Sequence, residues 1–215
     1  MAISKEDALN WIKEYAQVIA DNEAMLTDLD AQIGDADHGA NMNRGFKAVI
    51  TKLPAQEDKD IGTIFKSVGM TLLSTVGGAG GPLYSTIFMQ LGKTLAGKDE
   101  FDLIDWANGL EAAEKGVQNL GKASPGDKTM IDALEPAVVA LKDAVAQNLP
   151  LAESLKKSAE AAHQGMLGTI PLVARKGRAS YLGERSAGHQ DPGATSTFLL
   201  LDTAAKTWAD KNAHN

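Results

Sequence analysis

Apolar residues recur every three to four positions along almost the whole chain, a period typical of amphipathic helices. In the first segment Leu9, Ile12 and Ile19 share one face, and Ser4 precedes them as a candidate N-cap. No segment keeps the two-residue alternation of a strand. The pattern predicts an all-α single domain of eight or nine helices without strands. Beyond the first helix, a short helix would end near Gly34 and another would start near Pro82. The other predicted helices cover residues 41–53, 59–76, 102–120, 128–147, 151–175 and 193–210.

The composition excludes several classes of function. The chain has 215 residues and no cysteine, so disulfides, thiol catalysis and cysteine-ligated metals are excluded. Its net charge of −7 argues against a nucleic-acid partner. No apolar run approaches the roughly 18 residues that a membrane span needs, and the start of the chain resembles an amphipathic helix rather than a signal peptide. We therefore expect a cytoplasmic protein that binds neither nucleic acid nor membrane.

Five glycine-rich or charged segments interrupt the helical pattern, and they are richer than the short polar turns of a plain helical bundle. They read GDADHGAN, GGAGGP, GKASPGDKTM, RKGRASYLGERS and GHQDPGATS, at residues 34–41, 77–82, 121–130, 175–186 and 188–196. We expect the functional residues in and beside these segments.

The first segment follows Asp30 and contains Asp35 and Asp37. On a continuous helix, positions 30 and 35 would lie roughly 140° apart, so the carboxylates converge only if the helix ends first, as Gly34 permits. Clustered carboxylates are ligands of hard cations, and the spacing is not that of an EF-hand. Mg²⁺ suits a site with few protein ligands, because it keeps positions for water and phosphate oxygens. The alternative is that Asp35 and Asp37 are solvated turn residues or caps of the next helix.

The second and third segments suggest an anion site. Glycines at 77, 78, 80 and 81 would let backbone N–H groups approach an anion, and Pro82 suits the start of a helix whose dipole favours negative charge. The alternative is a tight helix–helix turn, since no strand or third fingerprint glycine accompanies them. The third segment comes near a phosphate-binding Walker A loop, but Asp127 stands directly before its lysine.

The fourth segment places Arg175, Lys176, Arg178 and Arg185 close together in an acidic protein. Arginine suits bidentate contacts with phosphate oxygens, although cations at a helix C-terminus give the same pattern. The fifth segment resembles a capped helix start, with Asp191 as the cap. Together the segments indicate a magnesium–nucleotide complex, in which metal ions lie between carboxylates and a polyphosphate.

At GDADHGANMNRGF the sequence closely resembles the nucleotide-binding L subunits (DhaL) of bacterial dihydroxyacetone kinases. Further motifs similar to those of that family follow in the same order, namely GMTLLSTVGGAGGPLY, GKASPGDKTMIDAL and ARKGRASYLGERSAGHQDPGATS. The resemblance implies an ADP- and magnesium-binding barrel of eight antiparallel helices over residues 1–210, with the nucleotide at one end, and a C-terminal tail at 211–215.

The same resemblance implies the site residues. Asp30, Asp35 and Asp37 would bind two Mg²⁺ ions that bridge the phosphates, and Arg178 would be catalytic. The residues that would contact the nucleotide, beneath a lid formed by residues 121–130, are His38, Gly39, Ala40, Asn41, Ala79, Gly80, Gly121, Met130, Arg178, Asp191, Pro192 and Gly193. Relatives often have serine where this chain has Gly80, so a hydroxyl contact with phosphate would be lost while backbone contacts remain.

For activity, the resemblance implies a subunit of the phosphoenolpyruvate-dependent dihydroxyacetone kinase, because kinases of the other kind fuse both domains in a much longer chain. ADP would stay bound as a coenzyme and be converted to ATP by a phosphohistidine of an M subunit. The γ-phosphate would then pass to dihydroxyacetone held on a K subunit. Two alternatives stay open: a kinase of another acceptor, as in the related fatty acid kinases, and a nucleotide-state sensor that binds a transcription activator.

Overall fold

Helices make up most of the structure, a computed structural model that describes residues 2–209. The all-α prediction is confirmed, and these residues form nine α-helices and two 3₁₀ segments, Leu53–Gln56 and Arg178–Ser186. The tail predicted at 211–215 lies outside the described residues. The α-helices are α1 (Lys5–Asp21), α2 (Glu23–Ile33), α3 (His38–Lys52), α4 (Ile61–Thr75), α5 (Gly80–Thr94), α6 (Leu103–Gly121), α7 (Ile131–Ala146), α8 (Leu151–Gly168) and α9 (Pro192–Ala209).

Side-chain caps define several of the helix starts. Ser4 forms a capping box with Asp7 at the start of α1, as the sequence predicts. Asp102 and Asp105 form a second capping box at the start of α6. At the start of α4, the Asp60 carboxylate accepts a hydrogen bond from the backbone N–H of the third helical residue. These helices therefore begin where short-range side-chain chemistry satisfies their first N–H groups.

Two details differ from the sequence prediction. The segment predicted to be helical as far as residue 175 ends as α8 at Gly168, because Pro171 has no N–H and disfavours a helical residue before it. The prediction of no strands is wrong for β1 (Ile3–Ser4) and β2 (Glu100–Phe101), which pair antiparallel. Each strand has only two residues, which is too short to produce an alternating pattern.

Consecutive helices pack side by side: α4 with α5, α5 with α6, α7 with α8 and α8 with α9, while α1 packs against α9 and α3. The first three of these pairs have short connections, which make neighbouring helices antiparallel, so helix starts and ends meet at two ends of the molecule. Trp11, Trp106 and Trp208 fill one end with ring centroids 4.9 to 5.4 Å apart. None of the described helices is both long enough and apolar enough to cross a membrane.

Candidate functional site

A cleft of about 280 Å³ opens at the end of the molecule where α6 ends and α9 begins. The starts of α3 and α5 and the end of α2 also line it, and all five interrupting segments contribute to its wall. A helix N-terminus carries N–H groups without intrahelical partners and the positive end of the helix dipole. The starts of four helices, α3, α5, α7 and α9, line this one cleft and favour an anionic ligand.

The three aspartates expected to bind metal lie together in this cleft. One carboxylate oxygen from each of Asp30, Asp35 and Asp37 lies within 4.8 Å of the others. Asp30 is buried on the last turn of α2, and its Oδ2 accepts hydrogen bonds from the backbone N–H groups of Asp37 (2.8 Å) and His38 (3.2 Å). A Cβ at Gly34 would collide with the Asp30 carboxylate, so the chain can leave α2 in this direction only with glycine there.

The chemistry of this cluster fits a hard cation. Its ligand atoms are all carboxylate oxygens, which Mg²⁺ prefers. Asp37 directly precedes α3, yet its side chain makes no capping hydrogen bond, so the capping alternative fails for this residue. Asp35 forms an ion pair with Arg178, with 3.0 Å between Oδ2 and Nη2. One guanidinium therefore offsets part of the negative charge of the cluster.

The glycine-rich turn between α4 and α5 forms another wall of the cleft. α5 begins at Gly80, and no side chain caps its first turn. Gly78 has a φ of 61°, and a Cβ at Gly81 would collide with the carbonyl oxygen of Val76, so both positions require glycine. The first turn of α5 thus offers free backbone N–H donors to an anion.

Asn41 lines the cleft from the first turn of α3, and Arg44 orients its side chain. The Arg44 Nη2 donates to Asn41 Oδ1 at 2.6 Å, and its Nε donates to the carbonyl oxygen of Thr75 at 3.0 Å. Because Oδ1 is occupied as an acceptor, Asn41 keeps its Nδ2 group as a donor. The sequence patterns did not identify Arg44, which lies outside the five interrupting segments.

His38 belongs to a polar network beneath the cleft. Its Nε2 lies 2.8 Å from Ser196 Oγ, which also accepts a hydrogen bond from the Tyr84 hydroxyl at 2.7 Å. The Tyr15 hydroxyl donates to the Ser196 carbonyl oxygen at 2.9 Å. Burial lowers the pKa of His38 more than the neighbouring carboxylates raise it. The imidazole is therefore neutral at pH 7 and acts as a hydrogen-bonding group rather than as a charge.

Asp191 has the capping role predicted from the sequence. Its Oδ2 accepts a hydrogen bond from the backbone N–H of Ala194 at 2.7 Å, in the first turn of α9. Its own N–H donates to Thr169 Oγ1 at 3.0 Å. Burial raises the pKa of the Asp191 carboxyl to about 7. Asp191 also lines the cleft, so the residue that caps α9 is also one of those expected to contact the nucleotide.

Lys128 is a candidate that the sequence patterns did not identify. The residue is only 1% exposed, and it lines the cleft. Its Nζ donates to the carbonyl oxygens of Thr169, at 2.7 Å, and His189. Among residues 2–209 it is the only buried lysine or arginine. The only pattern in the sequence that points to Lys128 is the near-match to a Walker A loop. That pattern predicts a lysine that contacts phosphate, whereas Lys128 donates to backbone carbonyl oxygens.

Most residues that the family resemblance implied line the cleft. Gly39 and Ala40 do not: Gly39 is buried where a Cβ would collide with the carbonyl oxygen of Glu23 in α2, and Ala40 is exposed. The implied residues that do line it are Asp30, Asp35, Asp37, His38, Asn41, Ala79, Gly80, Gly121, Met130, Arg178, Asp191, Pro192 and Gly193. Apolar wall residues not identified from the sequence are Ile33, Val76, Leu83, Val117, Ala123 and Ile131.

Comparison with known proteins finds relatives that match nearly the whole chain. The model of the DAK2 domain family matches residues 32–206. The ADP-binding subunit DhaL of the PEP-dependent dihydroxyacetone kinase of Escherichia coli (strain K12) is 46% identical over 205 residues, which cover 95% of this chain and 98% of that protein. The ADP-binding subunit DhaL of PEP-dependent dihydroxyacetone kinase 1 of Listeria innocua is 40% identical over 96% of this chain and 98% of that protein.

Solved structures of the dihydroxyacetone kinase of C. freundii share the fold. The native form matches with a TM-score of 0.72 and 26% identity over 93% of this chain. The complex of that kinase with AMP-PNP and Mg²⁺ matches with a TM-score of 0.68 and 27% identity over 93% of this chain. This chain spans about a third of the length of that kinase, 34% and 33% in the two structures. Given the family match and these relatives, the chain belongs to the DAK2 domain family.

Proposed function

We propose that this chain is the ADP-binding subunit of a phosphoenolpyruvate-dependent dihydroxyacetone kinase. The observation that carries the proposal is the meeting of three carboxylates and the starts of four helices at one cleft. Carboxylates bind divalent cations and free N–H groups bind phosphate oxygens, so the cleft offers both halves of a metal–nucleotide site. The activity of the E. coli and L. innocua relatives, which this chain matches over nearly their whole length, supports the kinase assignment.

Asp30, Asp35 and Asp37 would hold two Mg²⁺ ions against the phosphates of ADP. Asp30 is the most strongly positioned of the three, because it is buried and accepts two backbone hydrogen bonds. Asp35 and Asp37 are more exposed and line the cleft, where they can approach a ligand. Bound Mg²⁺ would neutralise phosphate charge and orient the phosphoryl group.

The remaining wall of the cleft would hold the nucleotide itself. The first turns of α3 and α5 supply N–H donors for the phosphates, and the Asn41 amide adds a side-chain donor. Gly39 and Ala40 would contribute only through the backbone of α3. Apolar side chains offer a surface for adenine beside Gly121, and these are Leu83, Val117, Met130 and Ile131. His38, Ala79, Gly80 and residues 191–193 would complete the binding site.

Arg178 would be the catalytic side chain of this subunit. One nitrogen of its guanidinium lies 3.0 Å from Asp35, while the side chain is 66% exposed at the cleft. A guanidinium in this position can neutralise charge on a phosphoryl group in transit. A K subunit that holds dihydroxyacetone would supply any general base, and the phosphohistidine of an M subunit would regenerate ATP. A cytoplasmic location is part of the same proposal.

A coupled assay tests this function. The purified chain should form dihydroxyacetone phosphate when it is mixed with dihydroxyacetone, the K and M subunits, phosphoenolpyruvate and the phosphotransferase-system proteins that phosphorylate M. Omission of any one protein should abolish the product. Denaturation of the purified chain should also release about one equivalent of adenine nucleotide, as expected for a bound coenzyme. No product and no released nucleotide would contradict the proposal. No product together with tight binding to a transcription activator would instead favour the nucleotide-state sensor.

A further inference from the structure

We propose that Lys128 is a positioning residue of the cleft, whose ammonium group ties the loop 121–130 to the two segments, 169–170 and 187–191, that lead to the start of α9. It would thereby hold two neighbouring parts of the cleft wall, the loop and the start of α9, in the arrangement that binds Mg–ADP. The identity of that ligand rests on the proposed function. The role of Lys128 goes beyond that function, because it concerns a side chain that does not touch the nucleotide.

The donors of Lys128 are directed at the protein backbone. An ammonium group has three N–H donors and no acceptor. Nζ lies 2.7 Å from the carbonyl oxygen of Thr169 and 3.4 Å from that of Ile170, and it also donates to the carbonyl oxygen of His189. These acceptors come from two separate segments of the chain. The ammonium therefore links parts of the fold, whereas a Walker A lysine directs its donors at phosphate oxygens.

The loop 121–130 is built so that Lys128 points inward. Lys128 has a φ of 63°, in the left-handed region that few residues other than glycine adopt. Asp132 holds the loop in this shape, because its carboxylate accepts hydrogen bonds from the N–H groups of Gly126 (2.5 Å) and Thr129 (2.7 Å). A non-glycine residue persists in this conformation only where surrounding contacts compensate its cost. The bonds of Lys128 to the carbonyl oxygens are such contacts.

The two segments that Lys128 joins to the loop are also hydrogen-bonded to each other. The N–H of Gly188 donates to the carbonyl oxygen of Ile170 at 2.7 Å, and the N–H of Asp191 donates to Thr169 Oγ1 at 3.0 Å. A buried cation is costly unless it has negative or carbonyl partners, and here the negative charge of Asp191 opposes the effect of burial on the pKa of Lys128. Burial is the larger effect and lowers the pKa of Lys128, so the hydrogen bonds to carbonyl oxygens are what hold the ammonium in place.

The loop also forms part of the cleft wall. Thr129 and Met130, directly after Lys128, line the cleft beside the start of α9, where a Cβ at Gly193 would lie 3.7 Å from Met130. Without the ammonium, the carbonyl oxygens that it binds would lose their donor. The loop would keep the hydrogen bond from the Arg175 N–H to the Asp127 carbonyl oxygen but would lose its link to residues 169–170 and 189. We therefore expect the loop and the start of α9 to move more independently and to bind Mg–ADP more weakly.

A chemical rescue experiment tests the role of the ammonium itself. Because the chain contains no cysteine, Lys128→Cys introduces a single thiol. Alkylation of the unfolded variant with 2-bromoethylamine restores a side chain of lysine length that ends in an ammonium, whereas 1-bromopropane gives a neutral side chain of the same length that ends in a methyl group and has no N–H donor. After refolding, calorimetry with Mg²⁺ and ADP should give a Kd about 10- to 100-fold above wild type for the neutral adduct, as for loss of other supporting contacts around a site. The ammonium adduct should regain the wild-type Kd.

Two controls separate positioning from general stability. Wild-type protein taken through the same unfolding and alkylation steps should bind Mg–ADP normally. Leu155→Ala removes a buried side chain near the start of α8, far from the cleft, and should lower the melting temperature while leaving the Kd of the folded protein unchanged. Equal affinities for the neutral and ammonium adducts would overturn the role of Lys128. Absence of Mg–ADP binding by wild type would instead overturn the proposed function.

Hydrogen exchange on the ligand-free wild-type protein provides a second, independent measurement. If Lys128 joins the segments, the protected amides of residues 124–131 and 187–191 should open in one event, with the same denaturant dependence. Opening of residues 124–131 alone, with 187–191 still protected, would overturn the inference. This measurement decides the question even if the neutral adduct does not refold or if ADP is not the ligand.

Discussion

An aspartate beside a helix start can take either of two roles, and Asp37 and Asp191 take different ones. Asp191 caps α9 through the N–H of Ala194, whereas the Asp37 side chain makes no capping bond with α3. The backbone N–H of Asp37 instead donates to Asp30, which brings its carboxylate into the acidic cluster. The local pattern of the two residues is the same, so a short stretch of sequence does not distinguish the roles.

The metal assignment predicts the behaviour of Asp35→Asn, which removes a ligand charge with almost no change in side-chain size. We expect the affinity for Mg–ADP to fall about 10- to 100-fold, as for loss of an interaction with a charged group. Circular dichroism should show unchanged helicity. Asp28→Asn is the matched control, since Asp28 is exposed on α2 and lies outside the cluster. Equal Mg–ADP affinities for the two variants in calorimetry would remove Asp35 from the metal site.

Gly80 and Gly81 are neighbours with different spatial constraints. A Cβ at Gly80 would meet Val76 Cγ1 at 3.4 Å, an ordinary contact, whereas one at Gly81 would collide with the Val76 carbonyl oxygen. Gly80→Ser should therefore fold normally and bind ADP about 2- to 10-fold more tightly through the added hydroxyl. Gly81→Ala should lose about 1–3 kcal/mol of stability from steric strain. Equal destabilisation of the two variants in urea would contradict this geometry at the start of α5.

At the scale of helices, the N-termini differ in how their first N–H groups are satisfied. Side chains cap α1, α4 and α6, whose starts do not line the cleft. The starts of α3 and α5, which do line it, have no side-chain cap. The first N–H of α3, that of His38, donates to Asp30, and Asp191 caps α9, so the start of α5 leaves its first N–H groups available to a ligand. The helix dipoles add to the attraction for an anion.

The start of α9 should give the protein a measurable pH dependence. Burial raises the pKa of Asp191 to about 7, while in the unfolded chain it returns to the ordinary value of 3.8. Between these values the folded state binds more protons, so the stability that Asp191 contributes is present at low pH and is lost as pH rises from about 4 to 7. The loss amounts to about 4 kcal/mol at most, at 1.36 kcal/mol per pKa unit.

Urea unfolding of the ligand-free protein at pH 5 and pH 8 checks this expectation. Asp191→Asn is the matched variant, because asparagine can also cap a helix but does not titrate. Wild type should lose stability relative to Asp191→Asn as the pH rises, and all other titrating groups cancel in the comparison. If the stabilities of the two proteins change in parallel, the pKa of Asp191 is not raised.

At the scale of the whole molecule, the two ends are joined by the same helices. α6 and α9 run from the tryptophan cluster to the cleft, with Trp106 near one end of α6 and Gly121 at the other. A ligand bound at the cleft should therefore stabilise the whole domain. The tryptophans, which are buried far from the ligand, can report global unfolding by fluorescence.

Mg–ADP at 100 times its Kd should stabilise the protein by about 2.7 kcal/mol. For a chain of this length, that corresponds to a rise in melting temperature of about 5–10 °C. Addition of a chelator should reverse most of the shift, and ADP without Mg²⁺ should produce little. A melting curve that is the same with and without saturating Mg–ADP would contradict the metal–nucleotide assignment.

Local sequence determined the helices and the segments between them. The apolar period, the Ser4 and Asp191 caps and the glycines of the interrupting segments depend on interactions within one or two helical turns, so they can be read from neighbouring residues. The family motifs added the identity of most cleft residues. Pro171 also ends α8 by a local effect, although the helical pattern beyond it suggested otherwise.

Only the tertiary structure decided which groups face the ligand and which support the fold. Gly39 lies against α2 rather than in the cleft, and Arg178 pairs with Asp35. The Lys128 ammonium donates to backbone carbonyl oxygens. Each outcome depends on contacts between segments far apart in the chain. Side-chain direction at such contacts is set by packing and by the need to satisfy buried polar groups, and neither is encoded in the spacing of residues along a motif.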